Sequence, residues 1–435
     1  MSTTKPAHAY QPRKVYIVDG ARTPFLKARG KPGEFSASDL AVSAGKTLLL
    51  RQPFSPSDID EVIMGCVMPS ENEANIARII SLRLGCGRTV PAWTVQRNCG
   101  SGMQAIDCAV QDIATGRHNL VLAGGTEAMS QAPLLWRPDL VRWLADVRMS
   151  KGFAQKLTSI VSFRPQFLKP IIALIRGLSD PVVGLNMGET AENLAYKFNI
   201  TREQMDAFSI RSHHRLARAQ ENGALKEVTP VYSVAGKAFE KDDGVRPGSS
   251  MAALAKLQPY FDKRFGSVTA GNSSQVTDGA AMLLLASEEA IEYYKLPVLG
   301  TVVDSCWRAL APGEMGLGPV HATTPLLTRN NLNLSDIDYW EINEAFAAQV
   351  LACIAAWEDK DYCHHYLGLD KAMGSLDQER LNVDGGAIAL GHPVGSSGAR
   401  IVLHLLDVLR RNRAKRGIAA LCIGGGQGGA ILIEV

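Results

Sequence analysis

The sequence contains three pairs of similar segments, and they follow the same order in its first and second halves. Ser-Asp-Ile-Asp occurs at residues 57–60 and again at 335–338, each time just before a predicted strand. A turn rich in Gly and Ser then opens a helix at 100–106 and at 395–401, and a later strand ends in paired glycines at 124–125 and 424–425. The shared order predicts an ancient duplication. Two copies of one unit can place their strand ends around one central cleft.

Apolar patterning indicates that each copy is an α/β unit. Short apolar runs predict buried strands at residues 15–18, 62–64, 92–95, 120–123, 281–285, 339–342 and 417–421. Amphipathic periodicity predicts helices at 40–50 and 401–411. The stretch between the copies is richer in proline and polar turns, which favours an insertion. The expected domains are 1–129 with 276–296, an inserted loop domain at 130–275, and 297–435.

Composition argues against several classes of protein. The 435 residues are 46% hydrophobic and 20% charged, which is typical of a globular chain with more than one core. The net charge of +3 does not indicate a nucleic-acid partner, and no apolar run reaches the roughly 18 residues of a membrane span. The eight cysteines are irregularly spaced, and residues 1–14 are polar without a secretory signal, so we expect a cytoplasmic protein without disulfides.

One stretch of the predicted insert, residues 142–176, is strongly basic. Its charged residues, set against Asp146 alone, are Arg142, Arg148, Lys151, Lys156, Arg164, Lys169 and Arg176. Apolar residues are interleaved with them. Two interpretations remain open: a lid with a solvated basic face, or a surface that docks onto a membrane or a partner protein.

A cysteine and a histidine in glycine-rich turns are the first candidates for catalysis. Cys99 follows a predicted strand and precedes a glycine-led helix, where the helix dipole and free amides stabilise a thiolate. This position favours a nucleophile over an ordinary buried cysteine. His392 stands in a turn between Gly391 and Pro393. Its imidazole can take the proton of Cys99 as the sulfur attacks.

A second cysteine and an asparagine extend this set. Cys422 ends a predicted buried strand and is followed by three glycines, whose amides can form an oxyanion hole. Packing is its alternative role. A second thiol points to a reaction that also moves a proton to or from carbon. Asn343 is expected to begin a helix, where it can hold a water or a substrate carbonyl, or simply cap the helix.

A cluster of potential metal ligands occurs at Cys363, His364 and His365. Adjacent ligands do not converge readily on one ion, and no second pair has zinc spacing. We therefore expect no metal site.

These motifs together resemble the thiolase family, and the similarity runs almost from end to end. The matching segments are 21–25, the Cys99 turn, 124–130, 187–192, 268–274, 343–347, the His392 turn and the Cys422 turn. The resemblance implies an α/β protein with the duplicated, five-layered αβαβα thiolase fold and an inserted loop domain. It also implies a homodimer or homotetramer that acts on coenzyme A thioesters.

The resemblance assigns a role to each candidate residue. Cys99 is acylated, His392 activates it, and Cys422 moves the proton at the α-carbon of acetyl-CoA. Asn343 positions a water that forms one oxyanion hole with His392, and the amides of Cys99 and Gly424 form the other. The implied reaction is the thiolytic cleavage of 3-ketoacyl-CoA to acetyl-CoA and a shortened acyl-CoA, or the reverse Claisen condensation.

The resemblance also implies substrate contacts and a closer subgroup. The contacts fall on Arg246, Ala270, Ser274, Met187, Met315 and Phe346. Coenzyme A is a substrate here, and no metal or redox cofactor is implied. Short-chain thiolases usually have His where Asn186 stands, and this chain is longer after Ser130 and at 357–380. The two longer stretches resemble the thiolase subunits of fatty-acid oxidation complexes. Residues 142–176 could therefore contact either a multifunctional β-oxidation partner subunit or a membrane surface, and both alternatives remain open.

Three other classes of protein fit these residues less well. A decarboxylating ketosynthase shares the fold and the cysteine nucleophile, but is expected to have His at 343 and no Cys at 422. A papain-like hydrolase leaves Cys422 and the duplication unexplained. A non-catalytic partner subunit needs none of Cys99, His392 and Cys422. The sequence therefore predicts a thiolase.

Overall fold

The computed structural model describes residues 13–435 of the chain. The first part contains β1 (Val15–Arg22), β2 (Leu26–Lys27), α1 (Ala37–Leu50), β3 (Glu61–Gly65), α2 (Ile76–Arg83), β4 (Ala92–Val95), α3 (Ser101–Ala114) and β5 (Leu120–Ala128). The middle part contains β6 (Leu134–Leu135), α4 (Pro138–Met149), α5 (Phe153–Val161), β7 (Ile171–Ile172), α6 (Ala173–Gly177), α7 (Met187–Lys197), α8 (Arg202–Glu221), β8 (Val231–Tyr232), β9 (Ala238–Phe239) and α9 (Met251–Leu254). The last part contains β10 (Thr277–Ala286), α10 (Glu288–Tyr294), β11 (Gly300–Ala309), α11 (Gly318–Arg329), β12 (Tyr339–Ile342), α12 (Ala347–Glu358), α13 (Lys360–Leu367), α14 (Ala387–Leu390), α15 (Val394–Arg411), β13 (Arg416–Ile423) and β14 (Gln427–Glu434).

The duplication is visible in the strand pairing. Within residues 13–435 the main sheet has the order β12-β13-β14-β11-β1-β10-β5-β3-β4, with β2 beside β10. In one half β3 is parallel to β5, and β5, β10 and β1 are antiparallel neighbours. In the other half β12, β13, β14 and β11 repeat this pattern. A short ladder between β1 and β11 joins the two halves.

The buried side chains of residues 13–435 divide the molecule into five layers. A central core surrounds α3 and α15 and lies against one face of both halves' strands. A second core packs α1 and α2 onto the outer face of the first half, and a third packs α11 and α12 onto that of the second half. Strand β10 shows the alternation that permits this: Leu283 and Leu285 enter the central core, whereas Met282 and Leu284 enter the outer one. The predicted αβαβα layering is confirmed.

The predicted strands and helices all occur. Helices α1 and α15 begin earlier than predicted, at Ala37 and Val394, and one helix begins later. The helix expected to begin at Asn343 begins instead at Ala347. Residues before it run beside another segment: the Ser274 amide donates to the carbonyl of Ala345, and the Ala347 amide donates to that of Asn272. This pairing holds Phe346 in an extended conformation, which delays the helix by one turn.

The chain leaves the main sheet after β5 and returns to it at β10. The predicted insert, residues 130–275, lies between these two strands. None of the helices in residues 13–435 combines the length and apolarity needed to cross a membrane. The expectation of no secretory signal concerns residues 1–14, of which 1–12 lie outside the described residues.

Candidate active site

The amino ends of the two central helices, α3 and α15, meet in the middle of the molecule. Gly102 in the first turn of α3 faces Gly395 in the first turn of α15: a Cβ on Gly102 would lie 2.7 Å from the carbonyl oxygen of Gly395. A Cβ on Gly125, within β5, would clash with the same oxygen. These close backbone approaches require glycine. They bring together the turns that carry Cys99 and His392.

The turn of Cys99 is held by its neighbours. Asn98 has a positive φ of 43°, a conformation that Asn tolerates better than most residues, and its side-chain amide donates to the carbonyl of Gly424 at 2.8 Å. The Ser101 hydroxyl accepts from the amide of Arg97 and donates to the carbonyl of Asn98. These bonds tie Cys99 to the glycine turn of the opposite half.

Burial determines the resting state of Cys99. Burial of its sulfur raises the pKa of the Cys99 thiol, and the amides of Gly424 and of Cys99 itself only partly oppose this rise. The cost of burying a charged sulfur therefore outweighs the expected stabilisation of a thiolate at the helix end. The free site holds a neutral thiol, because loss of solvation costs more than two amide dipoles return.

His392 is buried, and a hydrogen bond with Ser397 determines which ring nitrogen carries the proton. Nδ1 of His392 lies 2.6 Å from the Ser397 hydroxyl, which donates to the carbonyl of Pro393 at 3.1 Å. The hydroxyl therefore accepts from Nδ1–H, which leaves Nε2 unprotonated. Burial, and next the charge of Arg400, lower the pKa of His392 to about 3, so the imidazole is neutral and able to accept a proton.

Cys422 lies near Cys99. It lies at the end of β13, paired with Gly428, and is buried. Burial first, and then the neighbouring Cys99, raise the pKa of Cys422 well above the ordinary value for a thiol. Cys99 thus lies close enough to affect the ionisation of Cys422, and Cys422 keeps its proton at neutral pH.

Asn343 lies against the ring of His392. Its side-chain nitrogen is 3.4 Å from Nε2 and 3.5 Å from Nδ1. The side chain is fully buried, and its oxygen has no hydrogen-bond partner within residues 13–435. A buried amide beside the imidazole has the arrangement expected of a group that holds a water or a carbonyl.

The proposed substrate contacts fall into two groups. Met315 and Phe346 belong to the same core cluster as Cys422, and Met187 packs against it. A Cβ on Gly424 would lie 3.2 Å from the sulfur of Met187. Ser274, whose amide pairs beside Phe346, and the exposed Ala270 belong to the loop that precedes β10.

Arg246 is the predicted contact that lies apart from the cysteines. It is exposed on a loop of the insert, and its amide donates to Nδ1 of His213 on α8. Burial, and then the charges of Arg246 and Arg29, lower the pKa of Lys27. The three cationic side chains therefore form a positive patch suited to phosphate groups.

Sequence reasoning missed several residues that support the site. Ser397 fixes the tautomer of His392. The Gln275 side chain donates to the carbonyls of Ile388 and Ala389, which come shortly before His392 in the chain, and to that of Gly244. Glu127 accepts from the amide of Gly395. Glu127 and Ser397 both fall in glycine-rich motifs, which was the available signal.

The Cys-His-His triplet has structural partners. The Cys363 thiol donates to the carbonyl of Ala356, and His365 contacts the carbonyl of Asp361 within α13. Across residues 13–435, no group of three or more His, Cys, Asp or Glu side chains is placed to hold a metal ion.

The junction of the duplicated α/β fold holds a thiol, a neutral buried imidazole, a second thiol and converging amides, which are groups that an acyl-transferring enzyme can use. Comparison with known families narrows this class. Residues 15–289 match the thiolase N-terminal domain and residues 296–435 match the thiolase C-terminal domain. The chain belongs to the thiolase family.

Individual relatives cover nearly the whole chain. It is 38% identical to the mitochondrial 3-ketoacyl-CoA thiolase of Homo sapiens, over 97% of this chain and 98% of that protein. It is 36% identical to the mitochondrial trifunctional enzyme subunit beta of Bos taurus, over 97% of this chain and 88% of that one. The structure of human mitochondrial 3-ketoacyl-CoA thiolase in complex with CoA superposes with a TM-score of 0.82, at 38% identity, over 97% of this chain and 98% of that one.

Proposed function

We propose that this thiolase cleaves 3-ketoacyl-CoA with coenzyme A to acetyl-CoA and a shortened acyl-CoA, and catalyses the reverse Claisen condensation. The carrying observation is that Cys99 lies near enough to Cys422 to raise its pKa, while the turn of the neutral His392 meets the turn of Cys99. Acyl transfer alone needs one thiol. Breaking a carbon–carbon bond also needs a group that gives a proton to carbon.

Cleavage begins when the Cys99 sulfur attacks the 3-keto carbon while its proton passes to Nε2 of His392. The bond between C2 and C3 then breaks, the acyl group stays on sulfur, and the acetyl-CoA enolate takes a proton from Cys422. Coenzyme A next gives its thiol proton to the Cys422 thiolate and its sulfur takes the acyl group. Cys99 leaves and recovers its proton from His392.

Two sets of donors stabilise the negative charge in these steps. The amides of Cys99 and Gly424 face the oxygen on the carbon that Cys99 attacks. Asn343, through a water, and His392 face the enolate oxygen of acetyl-CoA. Such preorganised donors act strongly because the site is buried and excludes bulk water.

An assay series with the wild-type protein and two variants tests this proposal. The substrates are acetoacetyl-CoA and 3-ketoacyl-CoA of eight to sixteen carbons. We expect turnover, no covalent acylation in Cys99→Ala, and acylation without condensation in Cys422→Ala. Intact-mass spectrometry detects the acyl enzyme. Normal condensation by Cys422→Ala would contradict the role given to that thiol, and a wild-type protein inactive on the whole series would contradict the function.

The ketosynthase and non-catalytic alternatives are disfavoured on this geometry. A decarboxylating enzyme has no use for Cys422 beside Cys99, and Asn343 occupies the position where it would need a histidine. A scaffold would gain nothing from burying two thiols and an imidazole together, because buried polar groups reduce stability unless they are satisfied.

Coenzyme A and its thioesters are the proposed small-molecule partners, without a resident metal or redox cofactor. Acyl transfer and proton transfer at carbon involve no net oxidation, and the side chains above supply every group that the steps use. The patch of Lys27, Arg29 and Arg246 is proposed to bind the phosphates of coenzyme A.

We propose that the chain forms a homodimer or homotetramer through the edge of its sheet. No second strand within residues 13–435 pairs with the outer edge of β4, and its four residues are only half-buried. A second copy can extend the sheet there and cover this edge. Light scattering is expected to give two or four times the 46.9 kDa chain mass. The mass of a single chain would contradict the proposal.

A further proposal concerns residues 142–176, for which we favour docking over a simple lid. These residues form α5, α6 and most of α4, and large apolar side chains here stay uncovered, with Phe153 86%, Val161 75% and Met149 71% exposed. Within residues 13–435 neither Lys151 nor Lys156 pairs with a carboxylate. We propose that this α4–α6 surface lies on a membrane that carries anionic lipids, since apolar and basic side chains alternate on short helices.

Vesicle flotation tests the membrane proposal. The full-length protein is expected to float with vesicles of phosphatidylglycerol and phosphatidylcholine, and much less with phosphatidylcholine alone. The variant Lys151→Gln/Lys156→Gln/Arg164→Gln should bind at least about tenfold more weakly, because each basic residue contributes roughly 1 kcal/mol near such a surface. The control Arg413→Gln/Lys415→Gln should bind as the wild type does. Equal binding to both vesicles, or capture of a multifunctional partner subunit without vesicle binding, would contradict the proposal.

We also propose a cytoplasmic location for the protein. All eight cysteines are free thiols, and Cys99 and Cys422 must stay reduced to react. Fractionation with marker proteins for each compartment checks this location. Recovery in an oxidising compartment would contradict it.

A further inference from the structure

Glu127 is a buried carboxylate without a basic partner. It lies at the end of β5 with no exposed surface. It accepts from the amides of Val67 and Met68 at 2.9 Å and of Gly395 at 3.0 Å, and the Cys66 thiol lies 3.5 Å away. No Lys, Arg or His nitrogen in residues 13–435 lies within ion-pair distance of it.

This arrangement reduces stability. Burial raises the pKa of Glu127 to about 7, and the three amides and the Cys66 thiol only partly oppose the rise. In the unfolded chain the group ionises near 4.5, so the folded protein becomes less stable as the pH rises from 4.5 to 7. A neutral side chain would avoid this cost. The carboxylate therefore calls for an explanation other than stability.

The contacts of Glu127 connect both halves at the active site. Val67 and Met68 follow β3 of the first half, whereas Gly395 follows His392 by three residues in the second half. A Cβ on Gly395 would lie 2.7 Å from the Glu127 carboxylate, so the fit depends on glycine there. The charge of Glu127 also raises the pKa of Cys99. The carboxylate thus acts on both partners in the first proton transfer.

We propose that Glu127 is a positioning residue for acyl transfer: its carboxylate holds the amide of Gly395, and with it His392, at the separation from Cys99 that proton transfer needs. This inference rests on the proposed function. It adds to the site a residue that takes no direct part in bond formation or proton transfer. Glu127 contacts neither substrate nor reacting atoms. It acts through the backbone of α15.

The variant Glu127→Gln tests the inference in thiolysis. Its amide keeps the shape of the side chain but places an N–H group against backbone donors. We expect kcat to fall by about tenfold or more, since general base catalysis depends on geometry, with KM for coenzyme A within about twofold of the wild type. The control Glu73→Gln changes a carboxylate that is similarly buried in the first half, where it accepts from Ser38 and Ser70. Its kcat should stay within about twofold of the wild type.

Alkylation of Cys99 supplies a readout that loss of structure alone would not produce. The rate of modification by iodoacetamide is followed on the Cys99 peptide at pH values above 7 and up to about 10, where Glu127 is mostly ionised in the wild type because its pKa is about 7. In Glu127→Gln a nearby negative charge is gone, so the alkylation profile should shift to lower pH while kcat falls. Unchanged kcat, or alkylation and kcat that fall together, would overturn the inference.

A second variant keeps the test decisive if Glu127→Gln does not fold. Glu127→Asp retains the charge but withdraws the carboxylate from Gly395. We expect reduced kcat with an unshifted Cys99 alkylation profile, and full kcat would overturn the inference. Failure of the proposed function is distinguishable, because the wild type itself would then lack thiolysis.

Discussion

At the residue scale, the chemistry depends on two groups that are both neutral before substrate binds. Burial lowers the pKa of His392 to about 3 and raises the pKa of Cys99, so neither favours a preformed ion pair. In the proposed mechanism, proton transfer to Nε2 therefore accompanies formation of the carbon–sulfur bond. Because the two events are coupled, the step requires the correct tautomer of His392, which the hydrogen bond with Ser397 sets.

The variant Ser397→Ala should impair this step. Without the hydroxyl, Nδ1–H loses its acceptor and the proton can move to Nε2, the nitrogen that must accept from Cys99. We expect kcat for thiolysis to fall by roughly tenfold or more, with KM for coenzyme A little changed. The control is the adjacent Ser396→Ala, since the buried Ser396 hydroxyl has no partner in residues 13–435. Equal losses in the two variants would contradict the role of Ser397.

The candidate reacting residues could be proposed from the sequence because each lies in a short local motif, whereas the residues that support their turns could not. Ser397 is five positions from His392, but Gln275 and Glu127 reach the same turn from more than a hundred residues away. Glycine-rich motifs mark the segments of Ser397 and Glu127, but no local sequence pattern shows which distant side chains contact the His392 turn. The resting protonation of Cys99 was also unpredictable, because it depends on burial in the folded protein.

At the scale of elements, strands such as β5 and β10 were predictable from short apolar runs because they are buried on both faces. The helix after Asn343 starts late because residues 343–346 pair with the segment before β10, a tertiary contact that overrides local preference. The positions of α3 and α15 follow from their glycines, which allow the backbones to touch.

Replacement of Gly395 by alanine should disturb this helix contact. The added Cβ would lie 2.6 Å from the carbonyl of Thr126 and 3.0 Å from the Cα of Cys66, so backbone must move. We expect a loss of about 1–3 kcal/mol in the free energy of unfolding and a loss of thiolysis, measured by urea unfolding and enzyme assay. Gly152→Ala, at a position with open space, is the control. A fully stable and active Gly395→Ala would show that the contact is not required.

At the scale of the whole molecule, a buried network of charges joins the sheet, the insert and a central helix. Arg22 on β1 binds Asp242 through two nitrogens and Glu227 through a third. His404 on α15 lies between Glu227 at 3.1 Å and Asp384 at 3.2 Å. These carboxylates raise the pKa of His404 to about 10 against the opposing effect of burial.

The network predicts a specific dependence of stability on pH. His404 is charged in the folded protein up to a pKa of about 10 but in the unfolded chain only below about 6.5. Its contribution is therefore complete below pH 6.5 and is lost as the pH rises toward 10. His404→Gln should be less stable at pH 6.5 by roughly 3–5 kcal/mol, with a flatter profile up to pH 10. Urea unfolding across this range tests it, with the exposed His365→Gln as control. Parallel profiles for wild type and His404→Gln would refute the prediction.

The contact between Gly102 and Gly395 has a consequence for the origin of the site. Each glycine is the second residue of its central helix, and Cys99 and His392 each stand two residues before the same helix begins. Equivalent residues that touch each other mark a pseudo-twofold axis. Cys99 and His392 thus stand at matching positions relative to the two central helices. A single chain that holds both copies can carry a thiol at one of these positions and an imidazole at the other, which two identical subunits could not do.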